Sequence, residues 1–283
     1  MNILYIPGPW VRLRKFIADS MQAGNRSPQT RCAALREKEE LMMVIRALVF
    51  DAYGTLFDVQ SVRSLAIELC GDKGEIITHL WRLKQLEYTW LRTLMCSYED
   101  FWSVTRAALE FTLTSVGIAP TSLLCDELMD GYLHLDLYAE AQQALESLRD
   151  HKLAILSNGS PRMLEALVRS AGLAERFAAV ISCDQVKRYK PDPACYGLVE
   201  PALQVSKQEV LFISSNGFDV AGAKCYGFQV AWIERTGNVP PPQDSQLGPA
   251  AFYRLVRGRG EQLGYQPDFR LQRLTDLAAV LSA

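Results

Sequence analysis

Short apolar runs recur along the chain, and segments with helical spacing separate them. The runs have the length of β-strands and end in polar residues: Ile45–Phe50, Leu153–Leu156, Ala179–Ile181, Val210–Ile213 and Phe228–Ile233. Amphipathic segments of helix length lie between successive runs. This alternation is typical of a parallel sheet with helices on both faces. The pattern therefore predicts an α/β protein with a doubly wound parallel sheet of five strands.

The connection between the first two runs contains no strand candidate. It has helical periods only, at Ile76–Leu94, Phe101–Leu113 and Leu123–Leu133. A crossover of that length must form a structure of its own, because long unstructured loops are rare inside compact domains. We therefore expect a helical cap over residues 59–140, inserted into an α/β core made of residues 43–58 and 141–283.

Two segments lack the periodicity of a core. Residues 1–42 carry prolines and a charged run at Arg36–Glu40 but no apolar period, so we interpret them as an N-terminal extension. Residues 241–266 are a polar stretch that we interpret as a loop. A final amphipathic helix is expected around Leu271–Leu281.

Composition and charge argue against several classes of binding partner. The formal net charge is -2, and no run of Lys or Arg forms a stripe that would attract nucleic acid or an anionic membrane. No apolar stretch approaches the roughly 20 residues that cross a bilayer. The seven cysteines are odd in number, spread out and free of C-x-x-C pairs, which argues against a disulfide framework and a zinc site. We expect a cytoplasmic protein with reduced thiols and a small-molecule partner.

Polar residues follow the apolar runs, where open parallel sheets bind ligands. These residues are Asp51 with Thr55, Ser157-Asn158-Gly159, Lys190-Pro191-Asp192 and Ser214-Ser215-Asn216-Gly217-Phe218-Asp219. Each alone has an ordinary structural interpretation as a helix cap, a turn or a solvated loop. Together they predict one crevice in which Lys190 offsets the repulsion between Asp51 and Asp219 and keeps both ionised. An ionised, partly desolvated carboxylate is a competent nucleophile.

These motifs resemble the haloacid dehalogenase superfamily. The resemblance rests on Phe50-Asp51-Ala52-Tyr53-Gly54-Thr55-Leu56, the Ser157 strand end, Lys190-Pro191-Asp192 and Asp219. Within the superfamily the chain looks like an L-2-haloacid dehalogenase, through Leu80-Trp81-Arg82, Gln85-Leu86-Glu87-Tyr88, Leu156-Ser157-Asn158-Gly159, Tyr189-Lys190-Pro191-Asp192 with Tyr196, and Ser214-Ser215-Asn216. The similarity covers about residues 44–240 and resumes near Pro267. It implies a Rossmann-like core with a helical cap.

The chain departs from the phosphatases of that superfamily at two positions. Similar phosphatases carry a second Asp two residues after the nucleophile, where this chain has Tyr53, and a metal-binding Asp where it has Ser215. Phosphoryl transfer depends on such an acid and such a metal ligand. Halide leaves as a stable anion and needs no proton. We therefore expect hydrolysis of a carbon–halogen bond without a metal or other cofactor.

The resemblance and the chemistry assign roles to the reacting groups. Asp51 attacks the halogen-bearing carbon of a 2-halocarboxylic acid and forms an ester. Asp219 positions and deprotonates the water that hydrolyses this ester, with support from Lys190, Ser214 and Asn216. The stereocentre is inverted once.

The remaining candidates bind the substrate. The resemblance implies a halide cradle made of Arg82, Asn158 and Phe218, and carboxylate donors from Ser157 and the amides of Ala52 and Tyr53. Thr55 and Tyr196 are supporting hydrogen-bond partners. An apolar wall is expected from Tyr53, Leu83, Leu86 and Phe101.

Several alternatives stay open at the level of sequence. Arg82 could face solvent, and the wall residues could be ordinary core packing. His79, His134 and His151 lie in helical segments away from the strand ends, so we interpret them as structural. The whole site could belong to a phosphatase with degenerate motifs or to a non-catalytic binding protein. The resemblance also suggests a homodimer formed through the helical cap.

Overall fold

The computed structural model describes residues 45–235 and 248–282. The extension at 1–42 and residues 241–247 of the predicted loop lie outside the described residues. Of the described helices, none is long and apolar enough to cross a membrane.

The centre of the protein is a six-stranded parallel sheet in the order β3-β2-β1-β4-β5-β6. The strands are β1 Ala47–Phe50, β2 Lys152–Ser157, β3 Ala179–Ser182, β4 Val210–Ser214, β5 Gln229–Ile233 and β6 Phe269–Leu271. In the central register, Phe50 of β1 lies opposite Ile155 of β2 and Ile213 of β4. The predicted α/β class with a parallel sheet is confirmed.

The two faces of the sheet bury separate apolar clusters. Side chains alternate along a strand, so Leu48 and Phe50 of β1 belong to one cluster and Ala47 and Val49 to the other. All four residues of β1 are fully buried. A central strand covered on both faces must be apolar throughout, which explains its uninterrupted apolar run.

The helices inserted between β1 and β2 are α1 Arg63–Cys70, α2 Gly74–Leu94, α3 Phe101–Ser115, α4 Ser122–Gly131 and α5 Ala141–Ser147. The other helices are α6 Pro161–Ser170, α7 Pro193–Tyr196, α8 Val199–Leu203, α9 Gly217–Tyr226, α10 Pro249–Arg257 and α11 Leu277–Ser282. Short 3₁₀ turns lie at Gly71–Lys73, Cys183–Val186, Lys207–Glu209 and Leu274–Asp276.

Local chemistry defines the long helices of the insertion. The Asp100 carboxylate caps α3 by accepting a hydrogen bond from the Ser103 amide, and the Thr121 hydroxyl caps α4 in the same way at Leu124. The buried Trp81 of α2 donates its indole N–H to the Thr105 carbonyl of α3 at 2.8 Å. This bond satisfies the only polar atom of a large apolar side chain and fixes how α2 lies against α3.

Three expectations about the C-terminal part were wrong. The sheet has six strands, because the short Phe269–Leu271 segment pairs with β5. The predicted terminal helix is therefore shorter and begins at Leu277. The polar stretch contains helix α10, which Pro249 begins at its first turn. Its apolar residues Phe252 and Val256 are about half exposed, and none of its residues is buried.

Candidate active site

Asp51 follows β1 directly and lies at the carboxyl edge of the sheet. The turn after it is held by the Ala52 carbonyl, which accepts hydrogen bonds from the amides of Leu56 and Phe57 at 3.0 Å. Gly54 has φ +88°, a conformation that costs glycine little and most other residues more. The turn holds Asp51, which is only 6% exposed, in a fixed orientation toward β4.

Lys190 lies between the two predicted carboxylates. Its Nζ donates to Asp51 Oδ1 at 3.2 Å, to Asp219 Oδ2 at 3.0 Å and to the Leu156 carbonyl at 2.6 Å. The ammonium has three protons, so these partners use all of its donors. All three charged side chains are buried, and they carry one net negative charge.

Burial and charge shift the protonation of this group. Burial raises the pKa of Asp219 to about 6; Lys190 opposes that shift, and repulsion from Asp51 adds to it. Burial by itself would lower the pKa of Lys190, but the attraction of Asp219 and Asp51 outweighs it and the pKa is raised. Lys190 therefore stays charged, and Asp219 titrates close to neutral pH, which suits a general base. Tyr196 donates its hydroxyl to Asp219 Oδ1 at 2.8 Å.

The second oxygen of Asp51 faces the loop after β4. Asp51 Oδ2 accepts from Asn216 Nδ2 at 2.8 Å and from the Thr55 hydroxyl at 3.1 Å. The Ser214 hydroxyl accepts the Asn216 amide at 3.1 Å and thus holds that residue in place. Both carboxylate oxygens of Asp51 are therefore oriented by donors before any ligand arrives.

Ser215 and Tyr53 occupy the two positions that differ from phosphatases. Ser215 Oγ donates to the Gly54 carbonyl at 2.7 Å, and its amide donates to the Thr55 hydroxyl. The Tyr53 ring packs against Phe101 and Tyr132, and burial raises its pKa well above the usual range. A phenol that holds its proton so firmly is a poor general acid. Within residues 45–235 and 248–282, no three His, Cys, Asp or Glu side chains are grouped to hold a metal ion.

Arg82 of α2 reaches the same site from the insertion. It is 5% exposed, so the alternative of a solvent-facing arginine is wrong. Its Nη2 donates to the Tyr53 carbonyl at 3.3 Å, and its Nη1 donates to Gln85 Oε1 at 2.7 Å. Gln85 belongs to a motif that carries the resemblance, but no role was predicted for it; its position one turn after Arg82 on the same helix face could have indicated this contact.

The other predicted binding residues each contact neighbouring protein groups. Asn158 Oδ1 accepts the Lys190 amide at 2.9 Å, which directs the amide nitrogen of Asn158 elsewhere. Ser157 ends β2 fully buried, and its hydroxyl accepts the Gly159 amide. Phe218, in the first turn of α9, packs edge-on against Trp90 at 5.3 Å. Of the expected wall, Leu86 and Phe101 are buried with Tyr53, and Leu83 is half-buried.

Comparison with known proteins agrees with this geometry. A model of haloacid dehalogenase-like hydrolases matches residues 45–227. The (S)-2-haloacid dehalogenase of Xanthobacter autotrophicus is 47% identical over 237 residues, which cover 83% of this chain and 94% of that protein. The chain belongs to the (S)-2-haloacid dehalogenase family.

Other members of the (S)-2-haloacid dehalogenase family support the assignment. The enzyme of Pseudomonas sp. (strain YL) is 46% identical over 200 residues, covering 70% of this chain and 86% of that protein. A solved structure of the L-2-haloacid dehalogenase from Xanthobacter autotrophicus, with chloropropionic acid covalently bound, matches with a TM-score of 0.82 and 46% identity. The match covers 85% of this chain and 99% of that one. The recognition made from the motifs is thereby confirmed.

In this dehalogenase-family protein a cavity of about 280 Å³ lies next to Asn216, whose side chain donates to Asp51. Arg82, Ser215 and Asn216 line it together with residues of α10 and the end of β5. His79, which the sequence placed in a helical segment away from the strand ends, lines this cavity together with Ser215 and Asn216, which follow β4. The sequence could not indicate the contribution of α10, because it depends on how a separate helix packs against α2.

Proposed function

We propose that this chain hydrolyses small L-2-haloacids to 2-hydroxy acids with inversion, through an ester of Asp51. The observation that carries the proposal is the Asp51–Lys190–Asp219 group, beside a serine and a buried tyrosine where phosphatases have a metal ligand and an acid. The (S)-2-haloacid dehalogenases that resemble the chain support the choice of substrate.

In the first step, a carboxylate oxygen of Asp51 attacks C2 of the substrate on the face opposite the halogen. The C–O bond forms as the carbon–halogen bond breaks, and halide leaves with the bonding electrons. Arg82 and Asn158 contact the residues around Asp51, and we assign them with Phe218 to the halide cradle. Ser157 and the Ala52 and Tyr53 amides are assigned to the substrate carboxylate.

In the second step, Asp219 removes a proton from water, and the hydroxide attacks the ester carbonyl of Asp51. The acyl C–O bond breaks, and the alkoxide takes back the proton that Asp219 removed from water. The 2-hydroxy acid leaves with an oxygen that came from Asp51, and the regenerated Asp51 carboxyl loses its proton to solvent. Thr55, Ser214 and Asn216 keep the Asp51 carboxyl in position, and Tyr196 does the same for Asp219. None of these steps calls for a metal ion.

An isotope experiment tests the covalent step. With enzyme in excess over L-2-chloropropionate in heavy-oxygen water, the lactate should emerge unlabelled at C2 while Asp51 acquires the label. Multiple turnovers should then pass the label to product. Label at C2 in the first turnover with a light Asp51 would mean that water attacks carbon directly.

A substrate comparison tests the activity itself. Chloride release from L-2-chloropropionate is measured beside that from the D enantiomer and beside p-nitrophenyl phosphate hydrolysis, with Asp51→Asn as control. We expect activity on the L acid alone. Phosphate release without chloride release would favour the phosphatase, and binding without either would favour a non-catalytic protein.

The proposal extends to how the chain is divided into domains, whether it forms a dimer and where in the cell it acts. We propose that residues 59–140 act as a cap on the core and that two copies associate through it in the cytoplasm. The six free thiols among the described cysteines are consistent with a reducing compartment. Light scattering of the purified chain tests the dimer.

A truncated protein lacking residues 1–42 should fold and turn over normally if that segment is an extension.

A further inference from the structure

The cavity next to Asn216 is lined by several buried polar atoms that have no hydrogen-bond partner within the protein. Among the described residues, ten buried side-chain nitrogen and oxygen atoms lack a hydrogen-bond partner. Seven belong to residues that line this cavity: two each from Gln60, His79 and Arg257, and one from Arg235. Buried polar atoms in native proteins are normally paired, so this concentration indicates a wall shaped for a polar guest.

The charges of the wall are mainly positive and only partly compensated. Arg82 and Arg257 form no ion pair within the part of the chain that the structure describes. Arg235, by contrast, is paired with Glu140, and Glu234 with Arg270. The Asp58 carboxylate accepts the Gln60 amide at 2.9 Å. Arg254, exposed on the same wall, has no ion pair among the described residues either, so three guanidinium groups that line the cavity remain without a counterion.

Arg257 is the last residue of α10, and its side chain packs against two aromatic rings. Its guanidinium lies over the rings of Phe218 at 5.3 Å and Trp90 at 5.9 Å. Its Nε and Nη2 are buried without a partner, and burial lowers its pKa, with repulsion from Arg82 adding to the shift. Desolvating two like charges near one another is costly unless an anion lies close to them.

His79 provides neutral hydrogen-bonding capacity next to these cations. Its ring stacks on Tyr253 of α10 at 4.8 Å and is 8% exposed, and neither ring nitrogen has a partner. Burial lowers its pKa, so the imidazole is neutral at pH 7 and offers one N–H donor and one acceptor.

We propose that this cavity is a second anion site, with Arg257 as its specific ligand, that binds a halide or a small carboxylate next to the catalytic group. Arg82, Ser215 and Asn216 line the cavity and also contact the residues around Asp51, so an anion there is one side chain away from the reacting atoms. The choice of halide or carboxylate rests on the proposed function, because these are the anions that the reaction takes up and releases. The existence of the site does not rest on it.

Anion binding to the full-length protein tests the site without turnover. Bromide quenches tryptophan fluorescence, and Trp232 and Trp90 lie on the cavity wall and against Arg257. We expect saturable quenching, weakened about tenfold or more by Arg257→Gln, since a lost charge-assisted hydrogen bond has that effect on affinity. Arg259→Gln removes the same charge from an exposed position two residues away and should leave the affinity unchanged.

A second ligand distinguishes the two sources of the anion. Propionate has the carboxylate of the substrate but no halogen, and its competition with bromide is measured in the same variants. If Arg257→Gln weakens bromide alone, the site serves the departing halide; if it weakens propionate as well, the site also admits the incoming acid. Either result supports the proposal. Equal effects of the glutamine substitutions at 257 and 259, or no effect of either, would overturn it.

Two further measurements distinguish a lost anion ligand from a misfolded variant. Arg257→Lys keeps the charge but not the forked geometry and should lose affinity to an intermediate extent, with an unchanged circular dichroism spectrum. Crystals soaked in bromide should show an anomalous peak between Arg82 and Arg257 that Arg257→Gln removes and Arg259→Gln retains. A folded Arg257→Gln protein that keeps this peak would also contradict the proposal.

Discussion

The charges around Lys190 and those around Arg257 are both removed from water, but the protein supplies counterions only to the first. Lys190 has two carboxylates and a carbonyl within hydrogen-bonding distance, whereas Arg257 has aromatic rings and two unpartnered nitrogen donors. The first arrangement is complete before a ligand binds, which is what orienting a nucleophile requires. The second is complete only when an anion arrives. The comparison suggests that burial without a counterion can indicate a binding site as clearly as a paired cluster indicates catalysis.

Replacing Lys190 tests the paired region and should have the largest effect. Lys190→Met leaves Asp51 and Asp219 buried without a cation, which should lower the free energy of unfolding by about 3–5 kcal/mol and abolish turnover. Urea denaturation and halide release measure the two losses.

Lys187→Met is the matched control for that change. Lys187 is exposed and pairs with Asp184 at the surface, so its loss should cost less than about 1 kcal/mol. Similar losses in the two variants would mean that the buried ammonium does not hold the carboxylates together.

Replacing Arg82 should separate activity from stability. Gln85 Oε1 still accepts from Tyr132, and the Tyr53 carbonyl still accepts from Asn216, so Arg82→Met leaves both acceptors with a donor. Stability should change by less than about 1 kcal/mol, because the cost of burying the charge disappears together with its attraction to Asp51. Halide release should slow about 100-fold or more, the usual cost of losing a donor to developing negative charge.

The control for Arg82→Met is Arg92→Met, on the same helix. Arg92 pairs with Glu99 near the surface, and its replacement should leave turnover unaltered. A variant at Arg82 that loses stability and activity in proportion would make that side chain a structural one.

The protonation of Asp219 should give activity and stability opposite dependences on pH. Its pKa is raised from 3.8 to about 6 in the folded protein, so the protonated form is favoured by folding. Its contribution to stability is therefore fully present below about pH 3.8 and is lost as pH rises through about 6. A general base needs the ionised form, so kcat/KM should rise over the same interval.

Asp219→Asn removes this titration and serves as the reference. The stability of the native protein relative to Asp219→Asn should fall by on the order of 2 kcal/mol between pH 4 and pH 7.5. The difference is measured by urea denaturation at both values. A relative stability that stays flat or rises would mean that burial does not raise this pKa.

Chelation should have the smallest effect. Ser215 donates its hydroxyl to the Gly54 carbonyl where phosphatases place a metal-binding carboxylate, so dialysis against EDTA should leave halide release unchanged. Restoration of lost activity by Mg²⁺ would contradict the dehalogenase mechanism.

The sheet and the catalytic group were predictable because both depend on short segments. Strand β1 is buried on both faces and must be apolar, and the residue that follows such a strand lies at the ligand-binding edge. Strand β6 was not predictable, since three residues carry no periodicity. Helix α10 was missed, although Pro249 at its first turn and its amphipathic spacing could have indicated a helix. That Tyr253 and Arg257 line the cavity could not be predicted. The meeting of α2, α10 and β5 at one cavity depends on how these elements pack in three dimensions, which a sequence pattern does not show.

The charge balance of Asp51, Lys190 and Asp219 has a consequence for the order of the two proposed steps. Before reaction, the three buried side chains carry two negative charges and one positive charge, and Asp51 helps to hold the Asp219 pKa up. Forming the ester neutralises Asp51, so that repulsion disappears and Lys190 faces a single carboxylate. Asp219 then ionises more readily, at the moment when water must be activated. Alkylation of one carboxylate would in this way switch on the other, with no movement of the chain.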